Sequence, residues 1–154
     1  MSGKKVWFNC LDCGTPTLKY VYNLLNGKSS IRCDKCGHKS KGEEKIIEIF
    51  DKYKLIHNKD YVCQKKFYGL VGVNKGNLSY DFYLSKLNLL IEFQGIQHEK
   101  FVEGLHSSIE DFKIQLEHDK RKREYASNHD IKLLEIWHYE FNDIEKILCK
   151  EINN

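Results

Sequence analysis

The chain has 154 residues, 41% of them hydrophobic, which allows one ordinary domain with a real core and a small appendage. Its first thirty residues contain neither an apolar run of signal-peptide length nor a stretch able to cross a bilayer. This excludes a membrane role and predicts a soluble protein of the cytoplasm. The net charge of +3 hides an asymmetry: residues 1–42 carry 8 basic and 2 acidic groups, residues 43–154 carry 17 and 20. The small N-terminal part is the electropositive one and suits a polyanion, while the larger part collects carboxylates.

Cys10 and Cys13 form one C-x-x-C pair, and Cys33 and Cys36 a second, separated by nineteen residues. Four thiolates at this spacing supply a tetrahedral zinc site, and Gly14 and Gly37, directly after each pair, permit the tight turns it needs. The alternative is a pair of disulfides, which a reducing interior disfavours. Four protein ligands leave no open position, so the expected zinc is structural. His38, two residues past the last cysteine, is an alternative fourth ligand. Lys4, Lys5, Lys19, Lys28 and Arg32 of this module are expected to bind DNA through its phosphates.

A boundary is expected at Ser40–Gly42, giving a zinc module over 1–40 and a second domain over 41–154. The run GEEKIIEIFDKYKLI keeps Ile46, Ile47, Ile49, Phe50, Tyr53 and Leu55 at helical spacing, with Glu43 and Glu44 in the first turn, where the helix dipole favours anions. YVCQKKF, LSYDFYL and NLLIEFQ read as three strands, being short, β-branched or aromatic, and bounded by Gly, Asn and Ser. A helix over Ile109–Asn128 follows, then a strand, IKLLEIWHY, and an amphipathic helix, FNDIEKILCKEI. The predicted fold class is α/β, a mixed sheet with helices packed on it. Cys63 and Cys149 read as ordinary buried thiols.

Two carboxylates interrupt this pattern. Asp81 lies mid-strand in LSYDFYL and Glu92 mid-strand in LLIEFQ, where an isolated buried charge is costly. A hairpin turning between Lys86 and Leu87 sets residue i opposite residue 173 − i, so Asp81 faces Glu92 with Cβ atoms about 5 Å apart. Gln94 follows on the same face. Like charges so placed call for a cation, and oxygen ligands suit Mg²⁺ or Mn²⁺. A one-residue register slip would instead turn one acid to solvent. His98 stands just past the strand, beyond Gly95. On the second helix Phe112, Leu116, Asp119 and Ala126 share a stripe that carries Asp119 toward the sheet, with Lys122 one turn on; Arg123 falls on that stripe as well.

SKGEEKI, SYDFYL, NLLIEFQGIQH and HDKRKREYASNHDIKLLEIWHYE together resemble the PD-(D/E)XK nuclease superfamily. Within it the resemblance is to the very-short-patch-repair-like and EDxHD homing endonucleases of phages and mobile elements. It spans about residues 40–147, and paired zinc knuckles recur ahead of the core in that branch. The resemblance implies a restriction-endonuclease-like αβββαβ core behind a zinc-ribbon or treble-clef module. It also implies Mg- or Mn-dependent hydrolysis of DNA phosphodiesters, by homing-type cleavage or nicking. By motif the functional set falls on Glu43, Asp81, His98 and Asp119, with Glu92 at the acidic position of the signature. The sequence departs from that signature at Gln94, where the family carries lysine, and in lacking a proline before Asp81; His98 or Lys122 can take the lysine's role. On this reading Asp81 and Glu92 bind the metal with Glu43 completing the shell, His98 moves the proton, and Asp119 orients His98 or binds metal.

Two other readings fit the same residues. One is a non-catalytic DNA-binding protein on a decayed nuclease scaffold, which the Gln94 departure favours; the other is a zinc ribbon that docks on a protein machine such as a polymerase. A homodimer would let both DNA strands be cut, though no motif signals one.

Overall fold

A computed structural model describes residues 3–11, 14–26, 32–33 and 39–153. The chain divides into two compact units, Met1–Glu44 and Lys45–Asn154. Among the described residues no helix is long and apolar enough to cross a membrane.

In the first unit β1 (Lys5–Asn9) and β2 (Pro16–Tyr20) form an antiparallel hairpin running from Lys5↔Tyr20 to Asn9↔Pro16. Its connection closes on itself: Cys10 N–H donates to Thr15 O (3.0 Å), and Gly14 N–H donates to Cys10 O (2.9 Å). Gly14 takes φ +70°, a backbone conformation that glycine adopts without steric cost. These strands are not apparent from sequence, since KVWFN and PTLKY are too short and too polar on one face to stand out. A short helix, α1 (Val21–Leu25), follows. The unit ends in the first turn of α2 (Lys41–Lys52), where Ser40 N–H donates to Glu43 Oε2 (2.8 Å) and Glu43 N–H donates to Ser40 Oγ (3.2 Å). This reciprocal capping box sets where the helix begins.

The second unit is a mixed sheet in the order β3 (Val62–Val71), β4 (Asn77–Leu84), β5 (Leu89–Gln94), β6 (Lys132–Trp137). The first two pairings are antiparallel; β5 and β6 run parallel, which requires the crossover that α3 (Ile109–Asn128) supplies. Ser108 caps α3 by accepting Asp111 N–H at 3.2 Å. A final helix, α4 (Ile144–Ile152), closes the unit. The mixed α/β architecture expected from sequence is the one observed.

The sheet's two faces differ. Alternation sends Phe82, Leu84, Leu89, Ile91 and Ile136 to one side, where they pack with Ile46, Ile49 and Phe50 of α2 and Ile144 and Leu148 of α4. Phe50 meets Phe82 edge-on at 5.4 Å between ring centres. Each such side chain contributes about 1.5–3 kcal/mol by leaving water. The other face carries Tyr83, Leu90 and Leu133 under Ala126 and Tyr125 of α3, and then turns polar.

Two details differ from expectation. Leu116 is 42% exposed, so it is not on the inward stripe of α3. The inward positions around the polar part of the sheet are Gln115, Asp119 and Lys122 before Ala126, and because this face covers polar groups it gives no apolar periodicity to read. Cys63 and Cys149 are half-buried and not fully buried thiols, Cys63 packing at the margin of the core.

Candidate active site

The β4–β5 pairing is Leu84↔Leu89, Tyr83↔Leu90 and Phe82↔Ile91, the register expected from the turn. The turn itself is a 3₁₀ segment, Ser85–Leu87, closed by Asn88 at φ +46°. The next residues along are Asp81 and Glu92. Here Asp81 Oδ2 accepts Phe93 N–H at 2.8 Å, so a carboxylate takes a main-chain donor just where the paired ladder stops. Glu92 is 4% exposed and lies close enough to Asp81 for the two carboxyls to repel. Burial first, and the neighbouring Asp81 charge second, push the Glu92 carboxyl well above the ordinary carboxylate value, while Lys122 pulls the other way.

Lys122 reaches from α3 to form an ion pair with Glu92, both side chains being largely buried. Its ammonium also lies 5.6 Å from the centre of the Tyr80 ring, and Tyr80 Oη donates to the Lys122 carbonyl at 2.6 Å. The lysine's backbone and head group are therefore both fixed.

A third carboxylate joins the row. β5 and β6 pair in parallel with Glu92 beside Glu135. Gln94 Nε2 donates to Glu135 Oε1 (2.8 Å), and Arg123 Nε donates to both Glu135 oxygens (3.0 and 2.9 Å). Sequence reasoning missed Glu135, although the signal was the one that exposed Asp81 and Glu92: an acid in the middle of an apolar strand. Arg123 belongs on the inward stripe because Glu135 lies under it. Gln94 is 2% exposed, and its Oε1 has no hydrogen-bond partner among the described residues.

Beyond the strand ends, His98 meets Asp119 of α3. His98 ends a 3₁₀ turn, Ile96–His98, and its Nδ1 lies 2.8 Å from Asp119 Oδ2. A carboxylate only accepts, so in this pairing Nδ1 is the donor; Gln115 Nε2 also lies 3.0 Å from Nδ1. It sits 2.9 Å from His98 Nε2. Asp119 is 4% exposed. His98, Asp119, Gln115 and Lys122 line an open cleft of about 430 Å³ together with Asn77 and Ser79 of β4. His118, also at the cleft, accepts Val73 N–H at 3.0 Å, and burial followed by the Arg121 charge lowers its pKa, which keeps it a neutral acceptor.

The structure thus brings together Asp81, Glu92, Gln94, His98, Asp119 and Lys122. Glu43 lies in the other unit, where its carboxylate takes part in the capping box with Ser40. Among the described residues no group of three or more His, Cys, Asp or Glu side chains converges as a metal site. In the first unit Cys10 and Cys33 are buried and pack together. Cys13, Cys36, His38 and Lys28 lie outside the described residues. Lys4 and Lys5 are exposed, the latter 4.6 Å from the Tyr20 ring centre, while Lys19 and Arg32 are half-buried.

No protein-family model matches the chain, and no solved structure matches it. The chain is similar to Uncharacterized protein 307L of Invertebrate iridescent virus 6, with 34% identity over 76 residues. The match covers 49% of this chain and 38% of that protein, so the chain spans well under two thirds of its relative's length.

Proposed function

We propose that this chain is a metal-dependent DNA endonuclease of the PD-(D/E)XK type, in the very-short-patch-repair-like or EDxHD homing branch. Its second unit would be the restriction-endonuclease-like core and its first a structural zinc module. The observation that carries the reading is one sheet face on which Asp81 and Glu92 contact each other, Lys122 pairs with Glu92, and the His98–Asp119 pair shares a cleft with that lysine.

The donor set fits a hard divalent cation. Two carboxylates face each other, one of them made harder to ionise by burial and by its neighbour, and a cation between them lowers that penalty. Asp81 and Glu92 would hold Mg²⁺ or Mn²⁺. Such an ion lowers the pKa of a bound water and offsets charge building on a phosphate. His98, with Nδ1–H held by Asp119, accepts a proton from the attacking water at Nε2. The Lys122 ammonium supplies, from a helix, the positive charge that the family places at the position of Gln94. Gln94 instead ties β5 to Glu135. In the first unit, Cys10 and Cys33 fit zinc because they are buried together beside a glycine-closed turn of the kind a C-x-x-C ligand pair requires. Cys13 and Cys36 would complete the set, and the exposed Lys4 and Lys5 would meet DNA phosphates.

The test is incubation of the purified full chain with supercoiled and linear DNA, with and without Mg²⁺ or Mn²⁺. Metal-dependent nicking or linearisation is expected, from protein carrying about one zinc per chain. DNA binding with no cleavage of any DNA form would favour the second reading, a DNA-binding protein on a nuclease scaffold. The engagement of Gln94 with Glu135 is the observation on that side.

A further inference from the structure

The β3–β4 hairpin is unlike the rest of its unit in charge and in shape. From Tyr61 to Tyr80 the sequence holds Lys65, Lys66 and Lys75 and no Asp or Glu, whereas the remainder of Lys45–Asn154 holds 14 basic and 18 acidic residues. In the ladder Lys66 pairs with Ser79 and Val71 with Asn77. Four residues of β3, Phe67–Leu70, therefore stand opposite the single residue Leu78. Gly69, at φ +82°, lets the strand make this bulge. Phe67 and Leu70 both turn inward, onto Tyr80, Tyr83 and Tyr125. The two residues between them turn out, and Tyr68 is fully exposed, with Tyr125 Oη donating to its carbonyl at 3.2 Å.

Lysines and a bulge alone would blunt an edge strand against pairing with other chains. A fully exposed tyrosine on a backbone pinned from beneath, within an acid-free run, does not follow from that need. An open cleft of about 470 Å³ beside the bulge is lined by Lys66, Tyr68 and Asn77 among others, and Asn77 also lines the cleft that holds His98 and Asp119. Helix α3 fixes the hairpin to the site, because Arg121 Nη1 donates to Val71 O (3.2 Å) and His118 accepts Val73 N–H (3.0 Å).

We propose that this ribbon is a DNA contact of the second unit: a duplex lies along it with phosphates on Lys66 and Lys75 and a sugar against Tyr68. A two-stranded β-ribbon is of the size the major groove admits, and an aromatic ring packs on a deoxyribose whatever the base. The inference rests on the nuclease reading for its purpose, since the shared Asn77 would hold the bound strand at a set distance from His98 and Lys122. It does not rest on it for the binding itself.

The experiment measures affinity of the full chain for a short DNA duplex, in buffer without divalent metal or chelator, over a salt series. Tyr68→Ala should weaken binding fivefold or more, Tyr68→Phe should restore most of it, and Lys66→Glu with Lys75→Glu should reduce the salt slope by about 2. The side chains are exposed, so all variants should keep the parent's thermal midpoint. Binding within twofold of the parent for both Tyr68→Ala and the double reversal overturns the proposal, as does a loss seen on an RNA duplex and not on DNA. Cleavage with Mg²⁺ is scored separately. A parent that never cuts, with Tyr68→Ala still losing binding, leaves the ribbon standing and removes the nuclease reading; a parent that cuts, with unaffected variants, removes only the ribbon.

Discussion

The two faces of the four-stranded sheet are made from the same strands, residue by alternate residue, and do opposite things. Toward α2 and α4 the face is apolar throughout, and Phe82, Ile91, Ile136, Ile144 and Leu148 lose essentially all contact with water. Toward α3 it changes by rows. Tyr83, Leu90 and Leu133 form an apolar row; Asp81, Glu92 and Glu135 form an acidic one under Lys122 and Arg123; beyond it come His98 and Asp119. Burying a row of carboxylates cannot stabilise a fold without partners, since each isolated charge is costly in a low dielectric. The apolar face therefore carries the stability, and the α3 face uses some of it to hold charged groups in place.

The sharpest way to break that contrast uses two neighbours in sequence. Asp81→Asn should abolish Mg²⁺-dependent cleavage, a loss of a thousandfold or more, while the metal-free thermal midpoint holds or rises. The amide oxygen can still accept Phe93 N–H, and repulsion on Glu92 is relieved. Retained cleavage in the folded variant would remove the metal-site claim. Phe82→Ala, one residue on and on the opposite face, should cost about 3–5 kcal/mol by chemical denaturation, because it empties a fully buried position against Phe50. Its activity loss should track the unfolded fraction and disappear when temperature is lowered. Equal destabilisation by the two substitutions would mean that the faces are not specialised.

Lys122→Met sharpens the division within the α3 face. The thioether fills much of the lysine's space and leaves Glu92 buried without its cation. Because Glu92 can respond by taking up a proton, the expected cost is about 1–3 kcal/mol in metal-free protein, with a larger fall in cleavage than in DNA affinity. A stability unchanged at neutral pH would show that the ion pair contributes nothing net.

Much of this face was legible in the sequence, for a definite reason. Asp81 and Glu92 interrupt strands that are otherwise apolar, and a four-residue connection fixes hairpin register closely enough to set them opposite each other. Helix Ile109–Asn128 was legible as an element, but its inward stripe does not run through Leu116. A helix that covers charged groups has a polar inner side, so apolar periodicity points away from it. Glu135 lay in equally plain view but on a strand whose neighbour was unknown, and only the parallel β5–β6 register sets it beside Glu92. The bulge at 67–70 left no signal beyond Gly69, since alternation read across a bulge simply loses phase. The β1–β2 hairpin was obscured by its cysteines, which draw attention to the turn and away from the strands on either side.

The smallest effect is a test of whether the acidic row is built around a cation, and it needs no mutation. The Glu92 carboxyl has a folded-state pKa raised well above the ordinary 4.5, by burial and by Asp81. The folded protein therefore holds this proton more tightly than the unfolded chain does. The stability this gives is fully present below the unfolded value and is lost as pH rises from there through the raised folded value. A metal ligand must be deprotonated, so Mg²⁺ competes with that same proton. The midpoint gained on adding saturating Mg²⁺ should then be small at pH 5 and grow as pH rises through the window, reaching a few degrees where Glu92 would otherwise ionise without a metal. Thermal melts at half-unit pH steps, with and without Mg²⁺ at constant ionic strength, give the difference directly. A gain that is flat with pH, or larger on the acid side, would mean that Mg²⁺ does not bind where Glu92 titrates. The row would then be a salt-bridged structural feature, stabilised by Lys122 and Arg123 alone.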